Sequence, residues 1–158
     1  MQSILLRRTP NTERNKAGII FQQNNQEPVV RFEYAKGVAR VHILVVDDER
    51  IIADTLGLIL KGRGFDATVT YSGEDALKIA EILRPDVLLS DVVLAGMNGI
   101  ELALSTLQSW PSCKVILFSG DVATTKLLND AEVQGYHFEV LAKPVQPQDL
   151  LDCLVAPG

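Results

Sequence analysis

The chain has 158 residues, 47% of them hydrophobic, which suits one domain with a real core and excludes a disordered, collagenous or coiled-coil chain. Its net charge of -5 is divided unevenly, with +4 in residues 1–40 and -9 in residues 41–158. An acidic main body argues against a broad nucleic-acid surface, and no apolar run is long enough for a membrane span or signal peptide.

Residues 1–40 are rich in Asn, Gln and Arg, and only Val29–Tyr34 has strand-like content. This N-terminal extension is expected to be flexible, with a basic character suited to solvent or an acidic partner. Cys113 and Cys153 lack metal-ligand spacing and read as reduced thiols, so the cytoplasm is the expected compartment.

From Val41 onward, apolar runs of strand length alternate with segments of helical period. Val41–Val46 reads as the first strand. A helix over Arg50–Lys61 follows, with Ile51, Ile52, Leu56, Ile59 and Leu60 as its apolar face, and Gly62 and Gly64 stop it. Phe65–Tyr71 is the second strand. Ser72 is a good N-cap with Asp75 at capping-box spacing, and its helix runs to Leu83, short of Pro85. Strands are then expected at Val87–Ser90, Lys114–Ser119 and Phe138–Leu141. The helices between and after them are expected at Gly99–Gln108, Val122–Gln134 and Pro147–Val155. Five strand–helix repeats predict an α/β domain over residues 41–156. Right-handed crossovers fit an open, doubly wound, five-stranded parallel sheet, not a closed barrel.

Ligand crevices in such sheets lie at the carboxyl ends of the strands. Here those ends carry Asp47-Asp48-Glu49, Asp91, Ser119-Gly120 and, just past the fifth strand, Lys143-Pro144. Clustered carboxylates repel, and a hard cation such as Mg²⁺ relieves the repulsion through oxygen ligands. A carboxylate is also a nucleophile that can form an aspartyl phosphate. The incoming phosphoryl oxygens need positive charge or donors, which Mg²⁺, Lys143 and the Ser119 hydroxyl can supply. Gly120 leaves room for approach. Singly, each of these residues is an ordinary cap or a solvated side chain; only the topology gathers them.

At these residues the sequence resembles the response-regulator receiver family of two-component signalling. Ile43–Glu49 resembles its opening strand and acidic pair, and Asp91–Gly99 its phosphorylation loop. Val115–Gly120 resembles the strand with the switch hydroxyl, and Leu141–Pro144 the lysine-proline signature. The resemblance implies a flavodoxin-like (βα)5 fold of strand order 2-1-3-4-5, with Asp91 as phospho-acceptor. It implies Mg²⁺ on Asp48 and Asp91, with Asp47 supporting through water and the Val93 backbone carbonyl as a further ligand. Lys143 would pair with Asp91 and then with the phosphoryl group, and Ser119 would move toward it. The Lys143-Pro144 bond is expected to be cis.

The resemblance also implies partners: a sensor histidine kinase or phosphotransfer protein as donor, and a downstream protein target. A homodimer is possible on the same grounds, and neither nucleic acid nor membrane is expected as a direct partner. The chain would be no enzyme beyond self-catalysed phosphotransfer and autodephosphorylation. A stand-alone regulator is expected, with a fragment of a longer regulator or hybrid kinase as the alternative.

Three positions depart from the family pattern. Val140 stands where an aromatic switch residue is frequent, with Tyr136 and Phe138 out of register. Ala95 replaces a frequent proline. The last helix is short and is expected to expose Leu150 or Leu154 to a partner. Val93, two residues past the acceptor, cannot orient water, whereas Asp121 can, and slow to moderate self-dephosphorylation is expected.

Two other readings compete. One is a pseudo-receiver, a binding module of the same fold that never uses phosphate. The other is an Asp-nucleophile phosphatase, which would need a second Asp two residues after the nucleophile. Val93 and Glu49 occupy those places, so turnover would be poor.

Overall fold

The computed structural model describes residues 18–24, 27–33, 40–120 and 123–155. Two sheets form. The smaller is an antiparallel ribbon of β1 (Gly18–Asn24) and β2 (Glu27–Glu33), with Phe21 in register with Val30. The strand-like content seen near Val29 thus belongs to β2. The strand at Gly18–Asn24 was hidden by its polar Gln-Gln-Asn end.

The larger sheet alternates with five helices. In chain order they are β3 (His42–Val46), α1 (Arg50–Gly62), β4 (Asp66–Thr70), α2 (Gly73–Leu83), β5 (Val87–Asp91), α3 (Gly99–Ser109), β6 (Lys114–Ser119), α4 (Ala123–Val133), β7 (Glu139–Ala142) and α5 (Pro147–Val155). The five strands are parallel and ordered β4-β3-β5-β6-β7, which is the expected 2-1-3-4-5. Register is direct: Val46 pairs with Ser90, Asp91 with Phe118, and Ser119 with Ala142. These pairings line up the strand ends, and with them the residues that follow.

Strand alternation divides the core into two layers. Leu44, Val46, Leu88 and Leu117 pack on one face against Ala76, Ala80, Leu102, Ala103 and Ala131 of α2, α3 and α4. Ile43, Val45, Leu89, Ile116 and Phe118 pack on the other against Leu56 and Leu60 of α1 and Leu150 and Leu151 of α5. Each buried Leu, Ile or Val contributes roughly 1.5–3 kcal/mol relative to exposure, so these layers fix the sheet on which the site is built.

Local signals explain the helix starts. Ser72 caps α2 by accepting from the Asp75 amide at 3.2 Å, but the Asp75 carboxylate turns outward to Lys78 at 2.9 Å. The reciprocal capping box forms instead at α3, where Asn98 and Glu101 bond each other's backbone amides.

Two expected faces need correction. Ile51 is 82% exposed, because residues one apart on a helix point about 100° apart, and Ile52 takes the inner side. Leu150 is fully buried and Leu154 half-buried, since α5 lies back on the α1 face of the sheet. The last helix therefore does not offer Leu150 to a partner. Asp121, named for water orientation, and Val122, the expected start of α4, lie outside the described residues.

Candidate functional site

β3 runs straight into Asp47, which is fully buried, while Asp48 and Glu49 turn out to the surface. Asp47 Oδ1 accepts from the Glu49 amide at 2.8 Å, which fixes the carboxylate and leaves Oδ2 facing the crevice. β5 ends in Asp91, also buried. Its Oδ1 accepts from the Val93 amide at 3.1 Å. The backbone beyond is clamped: Val92 N donates to Phe118 O at 3.0 Å, and Gly99 N donates to Val92 O at 2.9 Å. A Cβ on Gly99 would sit 2.0 Å from the Asp91 carbonyl oxygen, so only glycine lets the returning chain pass this close.

Lys143 arrives from the far side of the sheet. Its amide donates to Ser119 O at 2.8 Å, which joins the ends of β6 and β7. The Lys143-Pro144 peptide is cis. The ammonium lies 2.6 Å from Asp91 Oδ2, 3.0 Å from Asp47 Oδ2 and 3.9 Å from Glu49 Oε1. A Cβ on Gly120 would meet the Lys143 stem at 3.2 Å, so Gly120 gives the lysine its passage.

The electrostatics follow from burial and pairing. Burial pushes the Asp47 carboxyl above its ordinary range, against the pull of Lys143 and the Glu49 amide. Burial alone would lower Lys143, but its bonds to Asp91 and Asp47 and their charges outweigh this, and its pKa is raised. The ammonium is thus charged at any ordinary pH.

One lysine does not balance the carboxylates. Asp47, Asp48 and Asp91 each bring an oxygen to within 4.8 Å of the others, and Glu49 stands at the rim. Asp48 is not bonded to Lys143; its Oδ2 accepts from the Ala95 amide at 3.2 Å. Hard oxygen ligands with surplus negative charge fit a divalent cation such as Mg²⁺.

The expected site residues therefore gather as follows. Asp47, Asp91 and Lys143 form one bonded group, with Asp48 at its open side. Val93 contributes its amide to Asp91, and the residue is 51% exposed beside it. The Ser119 hydroxyl hydrogen-bonds the Thr124 hydroxyl in the first turn of α4. Thr124 is buried, and sequence reading missed it, because a threonine at a helix start is an unremarkable residue. Val140 is 40% exposed on β7. Phe138, just before the strand, packs into the core layer under α4 and stacks on Tyr136 with ring centroids 6.3 Å apart.

Residues 43–155 match the family model described as the response regulator receiver domain. The chain belongs to the response regulator receiver family. The DNA-binding response regulator MtrA of Mycolicibacterium paratuberculosis is 33% identical over 112 residues, covering 71% of this chain and 48% of that protein. The chain thus spans about half the length of the curated relatives it matches. Among solved structures, the signal receiver domain of an HD domain-containing protein from Pseudomonas fluorescens Pf-5 aligns with TM-score 0.68 and 28% identity, over 78% of this chain and 90% of that one. Chemotaxis protein CheY4 of Vibrio cholerae aligns with TM-score 0.65 and 25% identity, over 73% of this chain and 97% of that one. The receiver fold expected from the sequence is the fold observed. Among the described residues, no helix is long and apolar enough to cross a membrane.

Proposed function

We propose that this receiver domain accepts a phosphoryl group on Asp91 from a histidine kinase or phosphotransfer protein and passes the signal to a protein target. The observation that carries the proposal is the Lys143 ammonium 2.6 Å from Asp91 Oδ2, within a cluster of three carboxylates. An Asp91 carboxylate oxygen attacks phosphorus, the bond from phosphorus to the donor imidazole breaks, and an acyl phosphate forms. The released imidazole nitrogen takes up a proton.

Lys143 already spans Asp47 and Asp91, so its ammonium can pass to a phosphoryl oxygen while staying on Asp47. Asp47, Asp48, Asp91 and the Val93 carbonyl would hold Mg²⁺, which when bound supplies positive charge to the carboxylates and the phosphoryl oxygens. Ser119 is the nearby hydroxyl donor, and its bond to Thr124 ties any movement it makes to α4. That tie supports output through α4 and β7. The chemistry is self-catalysed phosphotransfer and autodephosphorylation, without turnover of a separate substrate. The cytoplasm, where such donors are found, is the proposed compartment.

Intact-mass measurement after incubation with acetyl phosphate and Mg²⁺ tests the proposal. The expected result is a gain of one phosphoryl group, absent without Mg²⁺ and absent in Asp91→Asn. A folded wild-type chain that gains nothing would move the reading to a pseudo-receiver, which binds its partner without phosphate.

A further inference from the structure

The loop between β5 and α3 carries Ala95 where a stiffening proline is frequent, yet the middle of its backbone, Ala95–Met97, is held by two side chains from outside the loop. Asp48 Oδ2 accepts from the Ala95 amide at 3.2 Å, and Glu74 Oε1 accepts from the Met97 amide at 3.0 Å. The second contact comes from a different element, the first turn of α2. Two glycines show how closely that turn approaches the loop. A Cβ on Gly73 would stand 3.2 Å from both Met97 Cβ and Met97 O. Gly96 adopts φ +82°, and a Cβ there would lie 2.7 Å from Glu74 Oε1. The Glu74 carboxylate is also held below its ordinary pKa, first by its own backbone amide and then by that of Met97, so it stays an ionised acceptor. Its neighbour Asp75 serves a different purpose, pairing with Lys78 on the outer surface at 2.9 Å.

We infer that Glu74 is a positioning residue for the acceptor loop. By fixing Met97 it keeps the Ala95 amide on Asp48 and so sets the open side of the carboxylate cluster. The inference rests on the proposed acceptor chemistry only for its consequence; the brace itself is a property of the loop. Glu74 does the work that a proline would do from within the loop, but it does so from α2. Whatever moves the start of α2 therefore reaches the cation site through one hydrogen bond.

Backbone hydrogen exchange at residues 95–98, combined with Mg²⁺ titration and the initial rate of acetyl phosphate labelling, tests this. In Glu74→Ala, exchange at Met97 should rise about fivefold, the size of one lost hydrogen bond. Half-saturation by Mg²⁺ should shift upward by a similar factor, with labelling slowed at low Mg²⁺ and restored at high Mg²⁺. Glu74→Gln keeps an acceptor oxygen and should recover most of both effects. Asp75→Asn, on the same turn, should behave as wild type. Unchanged exchange at Met97 in folded Glu74→Ala would overturn the inference. Faster exchange with unchanged Mg²⁺ half-saturation would overturn it too, leaving a brace without influence on the site. A wild-type chain that binds Mg²⁺ but takes no phosphoryl group would sink the acceptor proposal alone; the exchange and Mg²⁺ results would still decide the role of Glu74.

Discussion

The two sides of the crevice are built differently. On the β3–β5 side, every position of β5 is buried, Asp47 and Asp91 are buried, and each carboxylate is fixed by a backbone amide and by Lys143. On the β6–α4–β7 side, no position of β7 is fully buried, Val140 is 40% exposed, and α4 ends in the exposed Val133. The first side holds charges in fixed places, which burial demands, because a misplaced buried charge costs several kcal/mol. The second holds a hydroxyl pair, Ser119 with Thr124, and a loosely covered edge strand. Fixed charges thus stand on one side of the crevice and a more open surface on the other.

The largest effect that would test this contrast is at Lys143. Lys143→Met should cut phosphoryl uptake roughly hundredfold, the scale seen when a charge-stabilising donor is removed. It should also destabilise the fold by about 3 kcal/mol at neutral pH, because the buried Asp47 and Asp91 carboxyl groups lose the ammonium that pairs them. The sign with pH is set by the lysine. Its folded pKa lies above the ordinary 10.5, so its contribution is complete below that value and is lost as pH rises through the folded pKa. Urea titrations of the two proteins should therefore converge above pH 10.5. A gap that stays constant into that range would remove the ion pair as its cause.

Next in size is a packing test that sets the sides against each other. Gly99→Ala, forced against the Asp91 carbonyl, should cost about 2–3 kcal/mol in urea denaturation. Val140→Ala, on the half-exposed strand, should cost less than about 1 kcal/mol. Equal losses would contradict the claim that the β3–β5 side of the crevice is built more tightly than the edge strand β7.

The smallest expected effect concerns the lifetime of the phosphoryl group. The side chain of the exposed Val93 beside Asp91 cannot orient water, whereas an amide can. Val93→Asn should shorten the lifetime roughly tenfold, by measurement of phosphoryl loss after removal of the donor. Identical lifetimes would show that water approaches by another route.

Much of the five-stranded fold was legible in the sequence, for a physical reason. A strand buried on both faces must be an almost unbroken apolar run, and Ile43–Val46, Val87–Leu89 and Val115–Phe118 are such runs. The gathering of Asp47, Asp91 and Lys143 was legible because a parallel sheet brings the carboxyl ends of its strands to one edge. What stayed hidden depends on neighbours that no local pattern records. Ile51 and Ile52 look alike in sequence, and only the packing of α1 on the sheet selects one of them. Leu150 was read as exposed because a short terminal helix gives no sign of lying over Phe118 and Leu151's neighbours in the core. Glu74 resembles any acidic residue in a first helical turn, and its bond to Met97 spans a sequence distance of 23 residues. Thr124 was hidden in the same way, whereas the first strand of the N-terminal ribbon was hidden by its polar end.

The central claim is that Asp91 itself carries the phosphoryl group, and its most direct test is chemical. An acyl phosphate on an aspartate is reduced by borohydride to homoserine, which peptide mass mapping can place on the chain. After treatment with acetyl phosphate and Mg²⁺, the account predicts homoserine at position 91, with Asp47 and Asp48 unchanged. Homoserine at position 47 or 48, with Asp91 intact, would contradict it.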